Sequence, residues 1–112
     1  MSKAFFDTNV ILYLLSSEQA KADRAEELLA GGGAVSVQVL NEFASVAAHK
    51  LGMKWGEIRE CLESVRAACT VQPLSVAIHD AALVMAERYG LSFYDALIVA
   101  AAHSSGCTVL YS

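Results

Sequence analysis

Proline occurs once in 112 residues, and glycine seven times. Collagen-like and low-complexity chains need far more of both. Cysteine is scarce as well. Cys61, Cys69 and Cys107 are odd in number, widely spaced and without a C-x-x-C pair. This excludes a disulfide framework or a zinc knuckle and reads as small buried thiols in a reducing compartment. No apolar run approaches the ~18 residues that cross a bilayer. The first apolar stretch, Ala4 to Leu15, is interrupted by Asp7 and Asn9, so it does not read as a signal peptide. Basic residues are few: eight against twelve acids, a formal net charge of −4. A domain that grips nucleic acid mainly through its phosphates should be basic. Either this chain does not bind nucleic acid, or some of its carboxylates are held for a metal.

What remains is apolar. Hydrophobic residues make up 55% of the chain and charged ones 18%, which excludes disorder. The length suits one domain spanning residues 1–112, large enough for a real core. These features place the protein in the cytoplasm, away from membranes.

Hydrophobic periodicity then orders the elements. Lys3–Phe6 reads as a buried strand and Val10–Leu15 as the start of a helix. Ala20–Ala30 is an amphipathic helix with Ala22, Ala25, Leu28 and Leu29 on one face, ended by Gly31-Gly32-Gly33. Ala34–Ser36 is a brief strand. Val37–Leu51 is a helix with Val39, Phe43 and Val46 on one stripe. Trp55–Cys69 is the clearest helix, its stripe running Trp55, Ile58, Leu62, Val65, Cys69, with Trp55 expected as a core anchor. Thr70–Gln72 suits a strand, Val76–Tyr89 a helix, Phe93–Ser105 a helix apolar nearly all round, and Thr108–Tyr111 a last strand. Alternating strands and helices predict an α/β fold with a mostly parallel sheet flanked by helices. In such sheets chemistry sits beyond the carboxyl ends of the strands.

Three acids fall where that rule points. Asp7 closes the first strand and reads equally as a helix N-cap. Glu42 lies at the edge of the buried face of its helix. Asp95 interrupts Phe93-Tyr94 and Ala96-Leu97-Ile98-Val99, with Ser92-x-x-Asp95 as a capping box and a near-buried helix start expected. Asp7 and Glu42 share one end of a parallel sheet, and Asp95 joins them if its helix crosses that end. Two carboxylates ~4 Å apart repel by about 4 kcal/mol at an effective dielectric of ~20. A hard divalent ion removes that repulsion, and Mg²⁺ favours all-oxygen sites completed by water and phosphate. Such a site supports metal-assisted phosphodiester hydrolysis.

The same residues carry a family likeness. Phe6-Asp7-Thr8-Asn9-Val10, Ser36-Val37-Gln38-Val39-Leu40-Asn41-Glu42-Phe43 and the block from Ala86 to Ala102 around Tyr94-Asp95-Ala96 resemble, in order and spacing, the three acidic motifs of the PIN-domain ribonucleases. The likeness covers essentially the whole chain and is nearest to VapC-type toxins of bacterial toxin–antitoxin systems. It implies a PIN-like three-layer sandwich and a Mg²⁺- or Mn²⁺-dependent endoribonuclease. It implies Asp7, Glu42 and Asp95 as catalytic, metal-binding acids, with Thr8 and Asn9 as supporting motif neighbours. It also implies an RNA substrate, a homodimer and a VapB-like antitoxin that blocks the site. The family pattern carries a fourth Asp or Asn two positions after the Ser or Thr that ends the penultimate strand. The sequence reaches Leu110-Tyr111-Ser112 and stops. The expectation is therefore a domain C-terminally short of the family, without its fourth acid and last edge strand, with Ser112 as a supporting residue. A catalytically silent PIN module that dimerises and binds an antitoxin or RNA without cleavage is the alternative.

Other features weigh less. A receiver-like phosphoacceptor domain needs a second acid beside the first and a late lysine; Thr8 follows Asp7, and no lysine lies beyond Lys54. His49, His79 and His103 read as surface residues. Lys50, Lys54, Arg59 and Arg66 read as solvated charges or as a rim touching RNA phosphates. The apolar surface of the first two helices and of Phe43–Trp55 suggests a subunit contact.

Overall fold

The computed structural model describes residues 4–112. Lys3, where the sequence reading begins the first strand, lies outside them. Strand β1 (Ala4–Phe6) leads directly into helix α1 (Thr8–Tyr13), followed by α2 (Gln19–Ala30) and β2 (Gly33–Ser36). Helices α3 (Val37–His49) and α4 (Trp55–Ala68) precede β3 (Cys69–Gln72). Helices α5 (Val76–Tyr89) and α6 (Phe93–Ser104) then lead to β4 (Val109–Tyr111).

The sheet order is β3-β2-β1-β4, and every pairing is parallel, firmer than the mostly parallel sheet expected. Phe5 of β1 sits between Ala34 of β2 and Leu110 of β4. The chain builds outward from β1 through β2 to β3, then crosses back to lay β4 on the other side. The switch point therefore falls between β1 and β4, where α/β sheets open a crevice. The main-chain N–H of Asp7 donates to the Tyr111 carbonyl there at 2.9 Å, tying the end of β1 to β4.

All four residues of β2 are buried, so both faces of the sheet are covered, as in a three-layer sandwich. Phe5, Phe6, Val35, Val39 and Phe43 form the centre of the core. Its density shows at Gly33, where a Cβ would run into the Phe6 ring and come within 2.9 Å of the Ala4 carbonyl. A smaller cluster of Ile78, Ala82, Ala96, Leu97 and Ala100 joins α5 to α6.

Local chemistry sets the boundaries. Ser36, Ser75 and Ser92 each accept an N–H bond from the third residue of the helix they open. Glu57 accepts from the Lys54 N–H at the start of α4. Gly90 closes α5 at φ +67°, a left-handed conformation that favours glycine.

One core expectation fails. Trp55 is 63% exposed. The rest of its stripe behaves as expected, with Ile58, Val65 and Cys69 buried and Leu62 half-buried. Periodicity records which face of α4 turns inward, but not how far the core extends along it. Trp55 is the first helical residue and overhangs the core's edge. Burial pushes the thiols of Cys61 and Cys69 up from their ordinary value. Among the described residues, no helix is long and apolar enough to cross a membrane.

Candidate active site

The backbone turn after β1 places the first acid. Asp7 is extended at φ −74°, ψ 164°, and its carboxylate accepts the Thr8 N–H at 2.6 Å, capping α1. The N-cap reading and the site reading of Asp7 therefore describe one side chain. Thr8 is 6% exposed, and its hydroxyl donates to Glu42 Oε2 at 2.8 Å. That bond links the end of β1 to α3, 34 residues on. Gln38, one turn earlier on α3, donates from Nε2 to the other oxygen, Glu42 Oε1, at 3.0 Å. Both oxygens of a half-buried carboxylate are thus held by neutral donors, which fix its orientation without cancelling its charge.

Asp95 opens α6 at the same end of the sheet. Its N–H donates to Ser92 Oγ at 3.3 Å, one half of the expected capping box. Its carboxylate is exposed, contrary to the near-buried helix start expected from sequence. The apolar character of α6 is spent from Ala96 onward, where Ala96, Leu97 and Ile98 are buried; Tyr94 and Asp95 still face solvent.

Asp7, Thr8, Asn9, Glu42 and Asp95 line one open cleft of about 340 Å³, with Leu12, Ser45 and Val46 completing its wall. The electrostatics agree with that grouping. Burial pushes the Asp7 carboxyl above its ordinary value, and the charges of Glu42 and then Asp95 push it further, against the Thr8 N–H bond that lowers it. Asp7 therefore senses both other acids.

The acids are gathered but not closed. Among the described residues, no group of three or more Asp, Glu, His or Cys side chains is tight enough to hold a metal ion by itself. The donor set is nonetheless rich in oxygen, with three carboxylates, two hydroxyls and an amide at one cleft. That set fits a hard cation such as Mg²⁺, which keeps several waters and takes only one or two carboxylates directly.

Ser112 is not brought to this cleft. It lines a separate groove with Tyr111, Val10 and Tyr13. Lys50, Lys54, Arg59 and Arg66 do not line the acid cleft either; Arg59 and Arg66 border a groove along α4 with Trp55 and Glu63. The reading of these residues as solvated charges holds, and His49, His79 and His103 are exposed as expected. Gln38 received no role from the sequence. Its i, i+4 spacing to Glu42 was the available signal, since such pairs meet on a helix surface.

Comparison with known proteins bears on the fold. A toxin–antitoxin complex from Klebsiella pneumoniae shares the fold at a TM-score of 0.74 and 20% identity, over 96% of this chain and 84% of that one. Mycobacterium tuberculosis VapC20, a Sarcin-Ricin loop cleaving toxin, matches at 0.74 and 20% identity, over 97% and 88%. VapBC2 from Rickettsia felis, bound to a DNA fragment from its promoter, matches at 0.65 and 20% identity, over 96% and 86%. No curated protein matches the sequence significantly. The PIN domain model matches residues 4–112, so the chain belongs to the PIN domain family.

Proposed function

We propose that this chain is a divalent-metal-dependent endoribonuclease and the VapC-like toxin of a toxin–antitoxin pair. Its substrate is RNA, and its cofactor is Mg²⁺ or Mn²⁺. A single observation carries the reading. Asp7, Glu42 and Asp95, from three separate elements, line one cleft at the carboxyl end of a parallel sheet, where burial first and then the charges of Glu42 and Asp95 raise the Asp7 carboxyl.

Asp7, Glu42 and Asp95 would hold the cation. When bound, it polarises the scissile phosphate and lowers the pKa of a bound water. The chain's own residues supply the rest. Thr8 and Gln38 keep Glu42 aimed into the cleft. Asp7 is fixed at the cleft wall by the Thr8 N–H that its carboxylate accepts. Asn9, exposed at the lip, offers an amide to a phosphate oxygen. The protein acts in the cytoplasm as a homodimer restrained by a VapB-like antitoxin. Exposed Val76, Leu83, Val84 and Trp55 leave apolar surface for such contacts.

The test is cleavage of total RNA in Mg²⁺ or Mn²⁺. Wild type cleaves, EDTA stops it, and Asp7→Asn abolishes it. Full activity of Asp7→Asn, or activity undiminished in EDTA, refutes the mechanism. A monomer by sedimentation at micromolar concentration refutes the dimer. The second reading is a PIN module that binds RNA or an antitoxin without cleavage; among the described residues the acids form no closed group. Retained partner binding with no cleavage even in Mn²⁺ would select it.

A further inference from the structure

The acid cleft does not end at Glu42. On the far side of that carboxylate lies a shallow groove of about 320 Å³, lined by Gln38, Asn41, Glu42, Ser45 and Tyr94. Glu42 and Ser45 line both spaces, so the two adjoin at these residues. A ligand in the groove would lie beside Glu42, one of the three acids.

Its chemistry is specific. Two amides and a hydroxyl supply donors and acceptors, and Gln38 spends only one N–H, on Glu42. Among the described residues no Lys or Arg lines either space, so neither is built to hold phosphates by charge. At the edge stands Tyr94, 63% exposed. Its phenol has no hydrogen-bond partner among the described residues. Its ring is braced by Phe93 at 6.1 Å, which in turn meets His79 edge-on at 5.5 Å. A supported aromatic beside amide groups and next to the acids is the composition that receives an unstacked base. An acidic site without cations gains affinity from base faces rather than from phosphate charge.

We propose that this groove is a nucleobase subsite for single-stranded RNA. One base stacks on Tyr94, and Gln38, Asn41 and Ser45 read its edge or ribose, which leads the adjoining phosphate to Asp7, Glu42 and Asp95. This rests on the nuclease reading for its substrate class, and it adds a residue, Tyr94, outside the acidic set.

The test uses fluorescence anisotropy with labelled octa-riboadenylate and an abasic ribose-phosphate oligomer of equal length. The Asp7→Asn background in Mg²⁺ keeps the probes whole. The parent binds the adenylate about ten-fold more tightly than the abasic probe, the lower range for one stacked base. Adding Tyr94→Ala erases that preference, and adding Tyr94→Phe keeps it. Because Tyr94 is exposed, its alanine variant should melt with the parent. No preference in the parent, or a preference that survives Tyr94→Ala, overturns the proposal. So does a Tyr94→Ala change that spares RNA binding but removes binding of an arginine-rich peptide, which would make the groove a protein site. The two readings fail separately. Wild type that cleaves no RNA refutes the nuclease while the binding comparison stays readable. Cleavage that Tyr94→Ala leaves at unchanged KM refutes the subsite alone.

Discussion

Replacing Thr8 with valine removes one hydroxyl and little else. The two side chains have nearly the same shape, and position 8 is 6% exposed, so no cavity opens. What disappears is the 2.8 Å bond from Thr8 Oγ1 to Glu42 Oε2. Hydrogen bonds to charged groups contribute roughly 1.5–3 kcal/mol. Here Glu42 is half-buried and keeps its bond from Gln38, so part of the loss is recovered by water. We expect Thr8→Val to cost about 1–2 kcal/mol in urea unfolding, with an unchanged m-value. For a domain of this size, that is a fall in Tm of about 4–8 °C. A cycle with Glu42→Ala isolates the pair, because a bond made only between the two shows as coupling of about 1–2 kcal/mol. The bond ties the end of β1 to α3 across the site, so Thr8→Val should also lower RNA cleavage more than it lowers stability. Coupling below about 0.3 kcal/mol, the ordinary scatter of additivity, would refute the claim that Thr8 holds Glu42 in place.

Asp7 gives a prediction with an unusual sign. Its folded-state pKa is raised, by burial first and then by Glu42 and Asp95. Its ionised form therefore costs stability above the raised pKa, and that cost disappears as pH falls through it toward the unfolded value of 3.8. In EDTA, Asp7→Asn should melt higher than wild type at pH 7, with the gain vanishing in acid; an equal gain at both pH values would contradict it. Gly33→Ala forces a Cβ into the Phe6 ring and toward the Ala4 carbonyl, both in the tightest part of the core. Overpacking of this kind costs about 1–3 kcal/mol, measurable by urea unfolding, and a neutral effect would show the core to be looser than described. Trp55, the single tryptophan, is 63% exposed, so its fluorescence in the isolated protein should already resemble that of the unfolded chain. A large red shift on unfolding would restore it to a buried position.

The order of elements was legible because periodicity and capping are local. Val76–Tyr89 is bounded by Ser75 and Gly90, and both ends follow from those two residues. The acids were legible for a different reason: charged residues break apolar runs at costly places, and the parallel topology turns two such breaks into neighbours. Trp55 and Asp95 mark where this reasoning stops. Helical spacing assigns a side chain to a face, while its burial depends on what stands opposite that turn. Trp55 shares the stripe of Ile58 and overhangs the core; Asp95 begins a greasy helix whose first turn projects into solvent. The same limit hid Gln38. Its side chain matters only because Thr8 approaches Glu42 from another element, which leaves one carboxylate oxygen for each donor. A site made of paired acids can be read from sequence as a set of charges. How those charges are aimed is decided by neutral side chains, and these become visible only when two distant elements meet.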